Sequence, residues 1–488
     1  APAPARPAPT VALVALGCPK NTVDAEVLLG SLEADGFSVV DDPAAAEVVI
    51  VNTCAFVEDA KSESIQTVLD VARIQSLEER KTKKALVVTG CMAQRYAEEL
   101  AAELPEIDAV VGFENYKNIA SKIRDVLYRN ANPADHDIPS PSGSALLAAP
   151  ADASRVHVGS PTVPFRAEWA RRRLTPRHTA FVRVAEGCDH ACAFCAIPGF
   201  RGKFRSKPWE MLVEEISRLA AQGVKEINLI AEDTNQYGSD FAKSDPNRDT
   251  RRLSDLLYEI DTIPGIEWVR LLYCYPSYFS DDLIDAIAKI DKVVKYVDIP
   301  LQHVTENVLR RMNRPGKAHT LRILDKLRAR IPHLVLRSTF IVGFPGETDA
   351  DHRELVEFVE KMRFARAGFF AYSQEEGTAA FDHEDQVPEK VKTKRRDRLV
   401  QVQQRIQEEF AAAQQGKVLS VLVDKIDEDG MSVGRAWFDA PEIDSVVHLL
   451  QDVEPGTMVD VKIVGQHMFD LVGDCNLDGS AEEDLPEV

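Results

Sequence analysis

Eight of the 488 residues are cysteine, and six of them stand where they can do chemistry together. Cys188, Cys192 and Cys195 share the stretch EGCDHACAFCAIPGFRGKFRS (186–206), spaced C-x-x-x-C-x-x-C. Thiolates this close on one loop can wrap a metal cluster. A closed zinc or iron–sulfur site takes four ligands, and here there are three. His190 lies inside the loop, but as a ligand two residues before Cys192 it would strain the same short turn. A coordination position left open suits three thiolates better, because a small molecule can then bind the centre and receive an electron from it.

Cys18, Cys54 and Cys91 are far apart in sequence but alike in setting. Each follows a short apolar run within about two residues: VALVAL (11–16), EVVIVNT (47–53) and ALVVTG (85–90). Helical stretches separate these runs, and AVVG (109–112) reads as a fourth. Such alternation predicts βαβ units on a parallel sheet, whose carboxyl edge is where open α/β folds bind ligands. A single cysteine after a strand is most often a small hydrophobe. Three at equivalent ends of consecutive strands predict a shared metal site. Cys274, inside a strand-like run, and Cys475, near the end, read as unligated.

The elements needed to position these residues divide the chain into parts. Residues 1–10, APAPARPAPT, read as a disordered tail, 11–128 as the first α/β domain, and the Ala/Pro/Ser/Gly-rich 129–177 as a linker. From 178 to 386 six more strand runs alternate with helices: 179–188, 226–234, 268–275, 295–302, 334–345 and 366–373. Six such units predict a partial or complete TIM-type α/β barrel with its site at the carboxyl ends of the strands. Glu232, Asp233 and Gln236 end the second run, and Gln302 and His303 end another, so all five are candidates for that mouth. Arg201 and Arg205, just after the cysteine loop, are further candidates for cofactor or substrate. A helical connector (387–415) leads to short strand runs over 416–475, which predict a small OB-related β-barrel, and then to an acidic tail, 476–488.

Composition narrows the function. The formal net charge is −20, which argues against a protein that grips nucleic acid through its phosphates and suits a basic partner. Residues 416–488 hold 17 acidic against 4 basic side chains, so the terminal module supplies most of that charge. No apolar run approaches the roughly 18–20 residues of a membrane span, so no membrane role is expected. The amino-terminal stretch has no apolar signal core, and clustered cysteines fit a reducing cytoplasm.

The motif C-x-x-x-C-x-x-C after the first strand of an α/β barrel resembles the radical S-adenosylmethionine superfamily. The resemblance implies a [4Fe–4S] cluster on Cys188, Cys192 and Cys195, with S-adenosylmethionine on the open iron and cleaved to a 5′-deoxyadenosyl radical. FIVGFPGET (340–348) is similar to the superfamily's adenine-lining segment, which makes Ile341 and Gly343 cofactor candidates. The three-part order resembles the methylthiotransferases over 11–475, with a TRAM-like terminal barrel. In that family Cys18, Cys54 and Cys91 would hold an auxiliary [4Fe–4S] cluster that binds the transferred sulfur. Two molecules of S-adenosylmethionine would serve each turnover, with an external electron donor of flavodoxin or ferredoxin type.

LGCPKNTVDAE (16–26), NTCAFVEDAKSESI (52–65), GCMAQRY (90–96) and DIPLQH (298–303) resemble the branch that modifies a protein rather than transfer RNA. The resemblance implies methylthiolation of the β-carbon of an aspartate in small-subunit ribosomal protein S-twelve, free or in the ribosome, by a cytoplasmic monomer with no direct nucleic-acid role. The same chemistry on an adenosine of transfer RNA is the nearest alternative. A non-enzymatic iron–sulfur redox or sensor protein, or a two-zinc scaffold, are alternatives of another class. The target atom comes from the resemblance alone.

Overall fold

The computed structural model describes residues 8–77, 84–131, 155–163, 165, 171–241 and 250–477. Most of the 1–10 tail, the 132–154 part of the linker segment and nearly all of the acidic tail lie outside those residues. The chain forms two compact units. The first comprises residues up to Leu174 with 186–190 and 196–205. The second comprises Thr175–Ala185, Ala191–Cys195 and everything from Ser206 on.

The first unit is built on a parallel six-stranded sheet. Its spatial order is Ser38–Val39, Thr10–Ala15, Val48–Thr53, Ala85–Thr89, Ala109–Val111, Val156–His157. Val48–Thr53 and Ala85–Thr89 are buried at every position, as central strands covered on both faces must be, and this explains the apolar runs 48–51 and 85–88 within them. Helices Pro19–Ala34, Glu58–Leu77 and Ile119–Ala131 alternate with the strands. Two strands were not expected. Val156–His157 lies within the 129–177 segment read as linker, and it pairs with Ala109–Val111. Val110 donates its backbone N–H to Arg155 O, and Gly112 donates its own to His157 O. A two-residue strand shows no periodicity, so only its partner reveals it.

The second unit contains another parallel six-stranded sheet, ordered Arg366–Ala371, Val335–Val342, Val293–Asp298, Trp268–Leu271, Glu226–Ile230, Thr179–Arg183. These are the six expected runs, five of them trimmed at their ends and one, Val293–Asp298, starting two residues earlier, in chain order across an open sheet. The structure therefore has a partial barrel rather than a closed one. Helix Glu389–Ala412 follows. The terminal strands Val418–Ile426, Ser432–Ala436, Val447–Leu449, Met458–His467 and Asp470–Asp474 close into a barrel.

A buried ion network fastens this small barrel to the sheet. Arg435 Nη2 donates to Glu226 Oε2 at 2.7 Å and its Nε to Asp424 Oδ2 at 2.7 Å. Arg270 Nε donates to Glu226 Oε1 at 3.0 Å and its Nη1 to Trp437 O at 2.9 Å. Arg366 Nε donates to Asp439 Oδ1 at 3.1 Å, and Tyr296 Oη to Asp444 Oδ2 at 2.6 Å. Burial pushes the Glu226 carboxyl up, but Arg435 and Arg270 outweigh it and hold the group below the usual carboxylate range. Asp439 lacks a second cation at such close range, and burial pushes it up to about 6. The acidic count of the terminal module thus overstates its outward charge: Asp424, Asp439 and Asp444 are spent inside the molecule.

Candidate active site

In the first unit the three strand-end cysteines come together. Cys18 is the N-cap of helix Pro19–Ala34, with Pro19 preset for the first helical position. A Cβ on neighbouring Gly17 would stand 2.8 Å from Cys54 Cβ, so the first two loops touch. Cys91 lies in the first turn of helix Gly90–Arg95. Burial pushes the Cys54 thiol up, and the neighbouring Cys18 pushes it the same way. Burial likewise pushes Cys91 up to about 12, with Cys18 and Cys54 adding to the rise and Arg201 opposing it. A Cβ on Gly90, just before Cys91, would stand 2.4 Å from Thr53 O, just before Cys54, so the third loop meets the second.

Polar side chains stitch the three loops. Asn21 Nδ2 donates to Leu16 O at 2.7 Å and to Thr53 O at 3.1 Å, and Asn52 Nδ2 returns a bond to Asn21 O at 2.8 Å. Thr53 Oγ1 donates to Thr89 O at 2.6 Å. Ser64 Oγ accepts the Cys54 backbone N–H at 3.0 Å and donates to Cys54 O at 3.1 Å. Tyr116 Oη accepts the Gly90 N–H at 3.0 Å. Among the described residues no three His, Cys, Asp or Glu side chains converge on a point that would hold a single ion. A cluster asks for a different arrangement, with one thiolate on each of several irons. Three adjoining thiols on braced loops fit that need.

Arg201 lies beside these cysteines. It ends the short helix Ile197–Arg201, which packs against helix Gly90–Arg95. Its Nη2 lies 2.7 Å from Asp24 Oδ2 and 3.4 Å from Cys91 Sγ. Arg205 points elsewhere: its Nη2 donates to Val163 O at 2.6 Å, and its guanidinium lies 5.2 Å from the centre of the Phe165 ring. Cys188, 8% exposed, donates its backbone N–H to Gly202 O at 3.1 Å.

Cys192 and Cys195 belong to the second unit, joined by a turn in which the Cys195 N–H meets Cys192 O at 3.1 Å. Ala193 between them is anchored on both sides, donating to Met312 O at 2.9 Å and accepting from the Ala380 N–H at 2.8 Å. Ile341 packs on the apolar cluster of Ala193, Phe344 and Tyr372, which brings the 340–348 segment against the cysteine loop. Gly343 has φ +71, and a Cβ there would stand 2.2 Å from Lys392 Cγ. Its lack of a side chain therefore serves packing against helix Glu389–Ala412.

Arg314 ties the mouth together and was not singled out from the sequence. Its Nη1 lies 3.7 Å from Cys192 Sγ, its Nη2 donates to Pro300 O, and its guanidinium stacks 4.2 Å from the centre of the Tyr275 ring. The Tyr275 N–H in turn donates to Asn235 Oδ1 at 2.7 Å, in the turn that carries Glu232, Asp233 and Gln236. Glu232 Oε2, Gln236 Oε1 and Arg314 Nε are buried with no hydrogen-bond partner among the described residues. Buried polar atoms of both signs left open beside a cysteine loop fit an amino-acid-like cofactor with charges of both signs. Gln302 has φ +69, and its backbone bridges Phe340. His303 is fully buried; its Nδ1 accepts the Thr305 N–H at 3.2 Å, and burial pushes its pKa down to about 3. It is a neutral packing element of this loop.

Cys274 is fully buried, and burial pushes its thiol well up, as a small core residue requires.

Three family models match the chain in succession. They are described as uncharacterized protein family UPF0004 (residues 10–112), the radical SAM superfamily (182–359) and the TRAM domain (416–475). The chain is 41% identical over 467 residues to ribosomal protein uS12 methylthiotransferase RimO of Desulfitobacterium hafniense, covering 95% of this chain and 98% of that one. It is 44% identical over 462 residues to the protein of the same name in Anaeromyxobacter sp. (strain K), covering 94% and 91%. The chain belongs to the RimO methylthiotransferase family. Among solved structures, a radical S-adenosylmethionine methyltransferase from Kitasatospora setae aligns over 75% of each chain, with a TM-score of 0.49 and 18% identity.

As a RimO-family member with a radical SAM domain, the chain is a radical S-adenosylmethionine transferase that uses iron–sulfur chemistry. Among the described residues no helix is long and apolar enough to cross a membrane. Residues that brace the two groups of cysteines, Asn21, Asn52, Asp24 and Arg314, escaped the sequence reading. Asn21 and Asp24 had one available signal: they are buried polar residues inside a motif already quoted, KNTVDAE, on the helix that begins at the first cysteine.

Proposed function

We propose that the chain methylthiolates the β-carbon of an aspartate in ribosomal protein uS12. Cys188, Cys192 and Cys195 would hold the radical-forming cluster, and Cys18, Cys54 and Cys91 an auxiliary one. The observation that carries this reading is identity of 40–44% over about 95% of the chain to proteins named as ribosomal protein uS12 methylthiotransferases; the aspartate and its β-carbon come from the family resemblance. The packing of the Cys18, Cys54 and Cys91 loops against one another supports the second cluster.

The bound clusters and two molecules of S-adenosylmethionine would supply the electron, the hydrogen-abstracting radical, the sulfur and its methyl group. The chain's own residues have simpler tasks. Glu232, Gln236 and Arg314 offer buried polar atoms to orient a charged cofactor, while Ile341 and the Ala193–Phe344–Tyr372 cluster exclude water beside the cysteine loop. The exposed acids of the terminal barrel, Glu428, Asp429, Glu454 and Asp460, would draw a basic ribosomal protein and repel a polyanion. An external one-electron donor, a monomeric state and a cytoplasmic setting complete the proposal.

The test is mass spectrometry of uS12 and of transfer RNA from cells with and without the gene. Loss of a methylthio group from uS12 is the expected result. Loss from transfer RNA alone overturns the choice of substrate.

A further inference from the structure

We infer that Arg201 is a positioning residue for the sulfur-bearing site at Cys18, Cys54 and Cys91, donating an N–H···S bond to Cys91 and setting the potential of the group held there. The inference rests on the reading of those cysteines as cluster ligands.

Arg201 is 2% exposed. Its Nη2 faces Asp24 Oδ2 at 2.7 Å and Cys91 Sγ at 3.4 Å, and its Nη1 lies 3.5 Å from Glu186 Oε2. The guanidinium stacks 4.4 Å from the centre of the Phe113 ring, which fixes its plane. Asp24 and Glu186 are themselves buried, at 1% and 0% exposure. Stability is a poor reason for this arrangement. Buried charges lose much hydration, and apolar residues of similar volume often serve a core as well or better. A thiolate site supplies a better reason. A cluster on three thiolates gains negative charge when reduced, and a fixed cation with an N–H aimed at a ligating sulfur favours that form. Arginine suits the place because its planar fork can serve a carboxylate and a sulfur from one nitrogen while staying protonated after burial.

Asp24 and Arg201 therefore act on the site with opposite signs. The carboxylate holds the guanidinium in place but adds an anion near the sulfurs, so removing one and removing the other should move the potential in opposite directions. A purely structural pair would not behave this way.

The experiment uses the full chain with Cys188, Cys192 and Cys195 all changed to alanine and reconstituted with iron and sulfide, so that only the first-unit site can load. Retention of about four irons per chain tests the cluster reading itself. If this parent holds no iron, that reading fails and the inference falls with it. With iron present, an EPR-monitored titration gives the midpoint potential. The expected result is a shift to more negative potential in Arg201→Gln, a smaller negative shift in Arg201→Lys, and a positive shift in Asp24→Asn. An iron-loaded Arg201→Gln variant with the parent's potential, or an Asp24→Asn shift of the same sign as Arg201→Gln, overturns the inference. If Arg201→Gln does not fold, the opposed signs of Arg201→Lys and Asp24→Asn decide the matter alone.

Discussion

Arg435 Nη2 reaches Glu226 Oε2 at 2.7 Å across 209 positions of sequence, and neither side chain is more than 3% exposed. This contact joins the terminal barrel to the start of a strand in the parallel sheet. Removing one partner leaves a charge buried with less compensation. Arg435→Met is expected to destabilise the second unit by about 3–5 kcal/mol, read as a lower urea midpoint. Limited proteolysis should then cut first in the terminal barrel.

Iron should divide between two sites. Cys188→Ala and Cys54→Ala are each expected to keep about half of the wild-type iron and sulfide after anaerobic reconstitution. Only Cys54→Ala should still cleave S-adenosylmethionine to 5′-deoxyadenosine. Complete loss of iron from either variant would mean a single shared centre.

Gly90 precedes Cys91 with φ +90, and a Cβ there would lie 2.4 Å from Thr53 O. The neighbour is backbone and cannot step aside cheaply. Gly90→Ala is expected to destabilise the first unit by more than about 1 kcal/mol and to lower iron retention at Cys18, Cys54 and Cys91. Iron measured in the Cys188→Ala background isolates the effect.

His303 links stability to acid. Burial holds its folded pKa near 3, against 6.5 for an ordinary histidine. The unfolded chain therefore takes up a proton first as pH falls. The contribution of His303 is whole above about pH 6.5 and is lost progressively as pH drops toward 3. Between pH 6.5 and 5 the loss amounts to at most about 2 kcal/mol. Urea unfolding of the full chain at both values should show a smaller difference for His303→Gln than for wild type.

The acids of the terminal barrel should separate into two classes. Changing exposed Glu428, Asp429, Glu454 and Asp460 together to serine should slow association with uS12 and flatten its salt dependence, leaving the urea midpoint near wild type. Changing buried Asp439, which pairs with Arg366, should instead lower the midpoint.

Much of the fold was legible because buried parallel strands announce themselves. Val48–Val51 and Ala85–Val88 are unbroken apolar runs, and the six strands of the second sheet each stood out between helical stretches. Ser38–Val39 and Val156–His157 were not legible, since two residues carry no period and their pairing lies elsewhere in the chain. Within the strand runs of 416–475, Met458–His467 turns back on Asp470–Asp474 at Met468, whose φ is +54.

The sequence by itself determined the chemistry. Thiols, their spacing and their place after strands are properties of covalent order, and a parallel sheet carries every strand end to one edge. It also determined the family, because the motifs are local words. The tertiary structure alone decided which charges serve whom. It put Arg201 beside Cys91, brought Arg314 to Cys192, and turned Asp424, Asp439 and Asp444 inward. Electrostatic partnership depends on distance and burial, and neither follows from composition when the partners are tens to hundreds of residues apart.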